Sequence, residues 1–161
     1  MRLLLRANSH RTTPDGSVEI ASSPDTPRRE AWQWQVRISD AGSASAAAAG
    51  TATAVAELHR PGGPVVLAVT ADPHAATPHA DVIDVSTRTE VTRTEGEIVV
   101  LVAVSGSVLA EGRHLLGELD ALVLAGEDPL RLELEPGSHQ AASMALARLE
   151  PGGADGLTWV P

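Results

Sequence analysis

Residues 97–150 read EIVVLVAVSGSVLAEGRHLLGELDALVLAGEDPLRLELEPGSHQAASMALARLE, a series of short apolar runs, each closed by glycine, proline or an acidic turn. A chain written this way folds into short antiparallel strands that turn back on one another. Leu130, Leu132 and Leu134 alternate with Arg131, Glu133 and Glu135, the period of two expected of a strand with one wet face. Before them, Asp120 to Leu124 is a short apolar run, and Ala125-Gly126-Glu127-Asp128-Pro129 is the turn between the two. Ala141 to Leu149 has mixed parity, which predicts a bulged strand.

Upstream, the clearest strand is Ala31 to Asp40, with Trp32, Trp34, Val36 and Ile38 on one face and Gln33, Gln35, Arg37 and Ser39 on the other. The two indoles either pack a core or line a ligand cavity. Thr51 to His59 alternates with small Ala52, Ala54 and Ala56 on one side, and Val65 to Thr70 follows a Pro-Gly-Gly-Pro break. Arg2 to Ala7 and Ser17 to Ala21 are the first strands, with a Pro14-Asp15-Gly16 turn between them. Ser22 to Glu30, Gly42 to Gly50 and Ala71 to Ala80 read as loops. Val82 to Arg88 and Val91 to Thr94 flank a polar bend, and Trp159 in the 151–161 tail is placed to tuck back onto the body. No helix of useful length appears, so the prediction is an all-β chain of about ten to fourteen short strands.

Composition excludes several functions. The 161 residues carry a formal net charge of -9, against the clustered cations that nucleic-acid binding needs. With no Phe or Tyr and three Trp, a base-stacking platform is not expected. Cysteine is absent, which removes thiol catalysis, disulfides and cysteine zinc sites, and every cation is arginine, which removes lysine Schiff-base and P-loop chemistry. The Met1 to Arg6 leader is too short for a signal peptide or a membrane span, and the expectation is a cytoplasmic protein without membrane partners.

For metal, the nearest thing to a ligand cluster is His74, His79 and Asp81 in a proline-containing loop, without the H-x-H spacing that would preorganise it. No metal or cofactor is therefore expected. No serine lies in a G-x-S-x-G elbow and no glycine-rich loop opens a helix, so no catalytic residue is assigned. Asp84 stands apart from the turn acids. Its apolar neighbours Val82, Ile83 and Val85 predict that it points into a barrel, with Arg37 or Arg88 as its partner. Such a pair is either structural or the wall of an anion- or amide-binding pocket.

Three segments carry a resemblance. Val18-Glu19-Ile20, Trp34-Gln35-Val36-Arg37-Ile38-Ser39-Asp40 and Val82-Ile83-Asp84-Val85-Ser86-Thr87-Arg88, with Leu116 to Leu122, resemble the T-x-E-I, W-R-x-S-I-A-D, D-L-N-x-M-T-R and L-x-x-G-D-A-L stretches of the HutD/Ves family. The resemblance implies a cupin-like double β-barrel (bicupin) of short antiparallel strands. The chain is then one unit, 1–161, with barrels over about 1–95 and 96–150 and a tail at 151–161. It also implies a small-molecule ligand drawn from histidine or amino-acid catabolism and no established catalysis; separately, a homodimer is the candidate assembly. The expected ligand-binding residues are Trp34, Arg37, Asp84 and Arg88. The departures fall on Ser9 to Asp15, where the family's P-W-K-N-G-G-G run is missing, on Thr53 in place of an arginine, and on Asp84 in place of an asparagine. Two other readings remain: a metal-dependent cupin enzyme using His74, His79 and Asp81, and an eroded cupin-like module kept for assembly or interaction.

Overall fold

Ile98 to Val104 contains no polar side chain, so a strand made of it is stable only with both faces covered. That condition sets the architecture. The computed structural model describes residues 3–23, 33–42, 49–153 and 157. In chain order, β1 (Leu3–Leu5) leads through a 3-10 turn (Ala7–Ser9) to β2 (Arg11–Thr12), β3 (Val18–Ser23), β4 (Trp34–Asp40), β5 (Ala52–Arg60), β6 (Gly63–Ala71), β7 (Ala76–Val85) and β8 (Thr89–Thr92). Then come β9 (Ile98–Ser105), β10 (Val108–Ala110), β11 (His114–Leu116), β12 (Ala121–Leu124), β13 (Arg131–Pro136) and β14 (Ala142–Pro151).

These strands form three layers. The first sheet has the order β2-β3-β4-β6-β5, the middle sheet β1-β12-β9-β14-β7 and the outer sheet β11-β10-β13-β8, with every pairing antiparallel. In β9, Ile98, Val100, Val102 and Val104 face one core, with Trp34, Val36, Ile38, Leu67 and Val69 of the first sheet. Val99, Leu101 and Ala103 face the other, with Val108, Leu116, Leu132 and Leu134 of the outer sheet. The middle sheet is thus shared between two hydrophobic cores, and alternation along a single strand supplies both.

The chain is all-β and antiparallel, as the turn spacing predicts. Among the described residues the expected closed barrels are not formed. Each sheet is open in its hydrogen bonding, and the enclosure comes from face-to-face packing. Where the first and middle sheets meet at their edges, β5 and β7 approach each other without a shared ladder.

Several details differ from what the sequence predicts. The ladder between β14 and β9 shifts register at Ser143/Met144, but the extra residue is Val104 of β9. β14 itself pairs with β7 without a shift, so the bulge expected from its mixed parity lies on its neighbour, and the mixed parity reflects burial on both faces. Leu132 and Leu134 are buried, but Leu130 precedes the strand and is exposed. The 71–80 segment departs from the expected loop, because β7 already begins at Ala76 and Pro78 lies within it, opposite Leu149. An edge position makes that tolerable, since a proline there leaves no inner ladder short of a donor. Gly106 makes the step from middle to outer sheet. Its φ is +72°, and a Cβ there would lie 3.0 Å from that of Ala142. The expected loop at 42–50 falls largely outside the described residues, as do Trp32 and Trp159. Among the described residues no helix is long and apolar enough to cross a membrane.

Candidate functional site

The most concentrated buried polarity on the first sheet is built around a bulge. Glu19 of β3 lies opposite Arg37 of β4, but Ala21 lies opposite Val36, so Ile20 is the extra residue. The bulge keeps Ile20 and Ala21 in the core and sets Glu19, Ser22 and Gln35 together on the opposite face of the sheet from Trp34. Glu19 and Gln35 are 9% and 3% exposed. Glu19 Oε1 accepts from Ser22 Oγ at 3.1 Å and Arg11 Nη1 at 3.2 Å, while Oε2 accepts from Gln35 Nε2. Burying a carboxylate is costly unless a cation and several donors compensate, and here one cation and two neutral donors do so. Gln35 Oε1 is buried without a partner.

Glu19 opens on a cavity of about 180 Å³. Leu5, Ile20 and Ala21 give it an apolar side, and Ser9, His10 and Arg11 a polar one. The polar wall is held by a strap at Asp120. Asp120 Oδ2 accepts from Arg6 Nη1 at 2.7 Å and from the Gly117 amide at 3.0 Å, and Oδ1 accepts from the Ala7 amide at 3.0 Å. Next to it, His10 Nε2 lies 2.6 Å from the Leu119 carbonyl. A carbonyl only accepts, so Nε2 donates there, and in the neutral tautomer that does so Nδ1 is an acceptor. Leu119 itself has a φ of +62°, a left-handed conformation that a branched residue holds only when its surroundings impose it.

Burial pushes the Asp120 pKa up, but the Gly117 and Ala7 amides and Arg6 outweigh it, and the net shift is downward. Asp15 is also lowered, by hydrogen bonds from Thr13 and Ser17 and the charge of Arg37. A carboxyl whose folded pKa lies below its unfolded value adds stability that is fully present above the unfolded pKa. That stability is lost as pH falls through the folded pKa. Asp120→Asn turns an NH2 donor either on the Ala7 amide or on the Gly117 and Arg6 donors and removes the charge that Arg6 pairs with. The stability gap to the parent chain is therefore expected to be widest near neutral pH and to narrow below about pH 4, measured by urea unfolding across that range.

The four residues expected at a ligand site are scattered. Trp34 is fully buried in the core between first and middle sheets, its Nε1 without a partner. Arg37, on the opposite face of β4, pairs with Asp15 at 3.3 Å. Arg88 is exposed and pairs with Glu133 and, at 3.7 Å, Glu135. Asp84 does not point into a barrel: it is exposed and accepts from Ser143 Oγ at 2.7 Å. Ile83 and Val85 face the outer-sheet core, so Asp84 takes the other side of β7. The core of the first sheet reaches that side only as far as Ala80. No hydrogen bond or ion pair joins any two of the four.

His74 and Asp81 are exposed, and His79 pairs with Glu150 at 3.4 Å. Among the described residues no group of three His, Asp or Glu side chains is placed to hold a metal ion. The residues missed by sequence reasoning are Glu19 and Gln35. The available signals were a lone acid in the apolar run Ser17 to Ala21 and an amide flanked by Trp34 and Val36.

No family model and no curated protein matches the chain. Its structure is similar to that of a conserved protein of unknown function from Pseudomonas aeruginosa PAO1, with a TM-score of 0.68 and 15% identity over 93% of this chain and 99% of that one. It is similar to HutD from Pseudomonas fluorescens SBW25, with a TM-score of 0.61 and 16% identity over 95% of this chain and 100% of that one. It is also similar to the bacterial pirin YhhW of Escherichia coli, solved with nickel(II), with a TM-score of 0.52 and 11% identity over 95% of this chain and 100% of that one. The fold is thus the cupin-like one shared by HutD and pirin, over nearly the whole chain.

Proposed function

We propose that this chain is a non-catalytic, small-molecule-binding protein serving histidine or amino-acid catabolism or its regulation, with Glu19 at the centre of its site. The observation that carries the reading is the Glu19 cluster, a buried carboxylate fixed by Ser22, Gln35 and Arg11 at the edge of a cavity. An acceptor positioned this rigidly loses little on receiving a ligand, because its own orientation has already been set. The likeness to HutD supports the choice of pathway.

Thermal unfolding with urocanate and formiminoglutamate tests the reading. A ligand held a hundredfold above its Kd adds about 2.7 kcal/mol. For a chain of this size that raises Tm by roughly 5–10 °C. Glu19→Ala should abolish the rise, while Asp84→Ala and Arg88→Ala should leave it intact. A flat response of the parent chain to every histidine-pathway compound removes the proposal.

A further inference from the structure

The cavity beside Glu19 presents a guanidinium, a carboxylate and an imidazole, and each has bonding capacity left. Arg11 donates once, to Glu19, and no other hydrogen bond engages its guanidinium among the described residues. Glu19 Oε2 accepts one bond, from Gln35, where a carboxylate oxygen has room for two. Among the described residues the His10 ring is engaged only through Nε2, which leaves Nδ1 as an acceptor in the neutral tautomer.

We propose, building on the binding reading above, that the site takes an amino-acid-sized molecule carrying both a carboxylate and an N–H donor. The carboxylate binds the free edge of Arg11, and the N–H is received by Glu19 or His10. A guanidinium fork is matched to a carboxylate in geometry and charge. With Glu19 already opposite it, a ligand bearing only an anion meets a repelling oxygen, and one bearing only a donor leaves Arg11 unanswered. Leu5, Ile20 and Ala21 give the ligand's aliphatic part an apolar surface. The volume of about 180 Å³ limits its size, being well below the roughly 300–1,000 Å³ of pockets for larger ligands.

Three near-isosteric probes separate the two requirements on the unaltered protein: N-acetylglycine, its methyl ester, which lacks the carboxylate, and O-acetylglycolate, which replaces N–H by oxygen. In amide-resolved NMR titrations, N-acetylglycine should move the resonances of Ser9 to Arg11 and Glu19 to Ala21. Each of the other two should bind about tenfold or more weakly. Arg11→Gln, at a half-exposed site, should bring the acid down to the affinity of the ester. Equal binding of the ester or the glycolate overturns the proposal, as does binding of the acid away from these residues. Should no probe bind while histidine-pathway compounds still stabilise the chain through Glu19, the carboxylate-and-donor rule fails and the binding reading survives. Should those compounds fail too, both fall.

Discussion

Arg93→Ala is expected to cost about 3–5 kcal/mol of stability, the range seen when one member of a buried charged network is removed. Arg93 is 5% exposed and lies just after β8. Its Nε donates to the Pro129 carbonyl at 3.3 Å, Nη1 to that of Glu97 at 2.9 Å, and Nη2 to those of Gly126 at 2.6 Å and Asp128. One guanidinium thus ties the turn between β12 and β13 to the start of β9. Removing it takes the guanidinium donor from four carbonyls at once. Glu97, 3% exposed, completes the region by accepting from the Thr94 amide at 2.7 Å and Arg148 Nη1 at 3.0 Å. Arg93→Lys should recover only part of the loss, because an ammonium cannot reach four acceptors spread around a planar fork. Urea unfolding checks both, and a loss under about 1 kcal/mol for the alanine variant would contradict the clamp.

Leu101→Ala is the second large effect, expected at about 2–5 kcal/mol. Leu101 is fully buried in the centre of the middle sheet, facing the outer-sheet core, with Leu122 and Leu146 beside it in the ladders. Sheets close-packed on both faces leave little freedom to collapse into the space left behind. Val55→Ala, at a position 63% exposed on β5, should change stability by less than about 0.5 kcal/mol. Thermal melts of the two variants side by side test the assignment of Ile98 to Val104 as a strand buried on both faces.

Much of the layering was legible in that same run. Seven consecutive apolar residues are too many for a strand with a wet face, and too few for a helix of ordinary length. The leucine alternation of β13 could also be read directly, whereas the bulge expected in β14 falls on β9, at Val104. The closure of the barrels could not, because whether two sheet edges join by a ladder or merely lie close depends on twist and register, which side-chain pattern does not encode. The site was less legible for a related reason. Asp84 has apolar neighbours, yet whether the side it faces is buried depends on how far the first sheet extends across β7. Glu19 was visible as a lone acid, but its burial depends on a bulge at Ile20 that shifts its register against β4. Gln35 looked like any outward-facing polar residue of an alternating strand. Only its pairing with Ser22 across the ladder brings it to Glu19.

The shared middle sheet also bears on how the protein is made. β9 takes its ladder partners from β12 and β14, both of which leave the ribosome after it, and β1 waits for β12 as well. At roughly 5–20 residues per second, the run from Ile98 to Val104 spends about two to ten seconds in translation without its final neighbours. It is uncharged, proline-free and rich in β-branched residues, the composition most prone to pair with another nascent chain. Soluble yield in a foreign host should therefore depend more on growth temperature and holdase chaperones than on the stability of the finished protein.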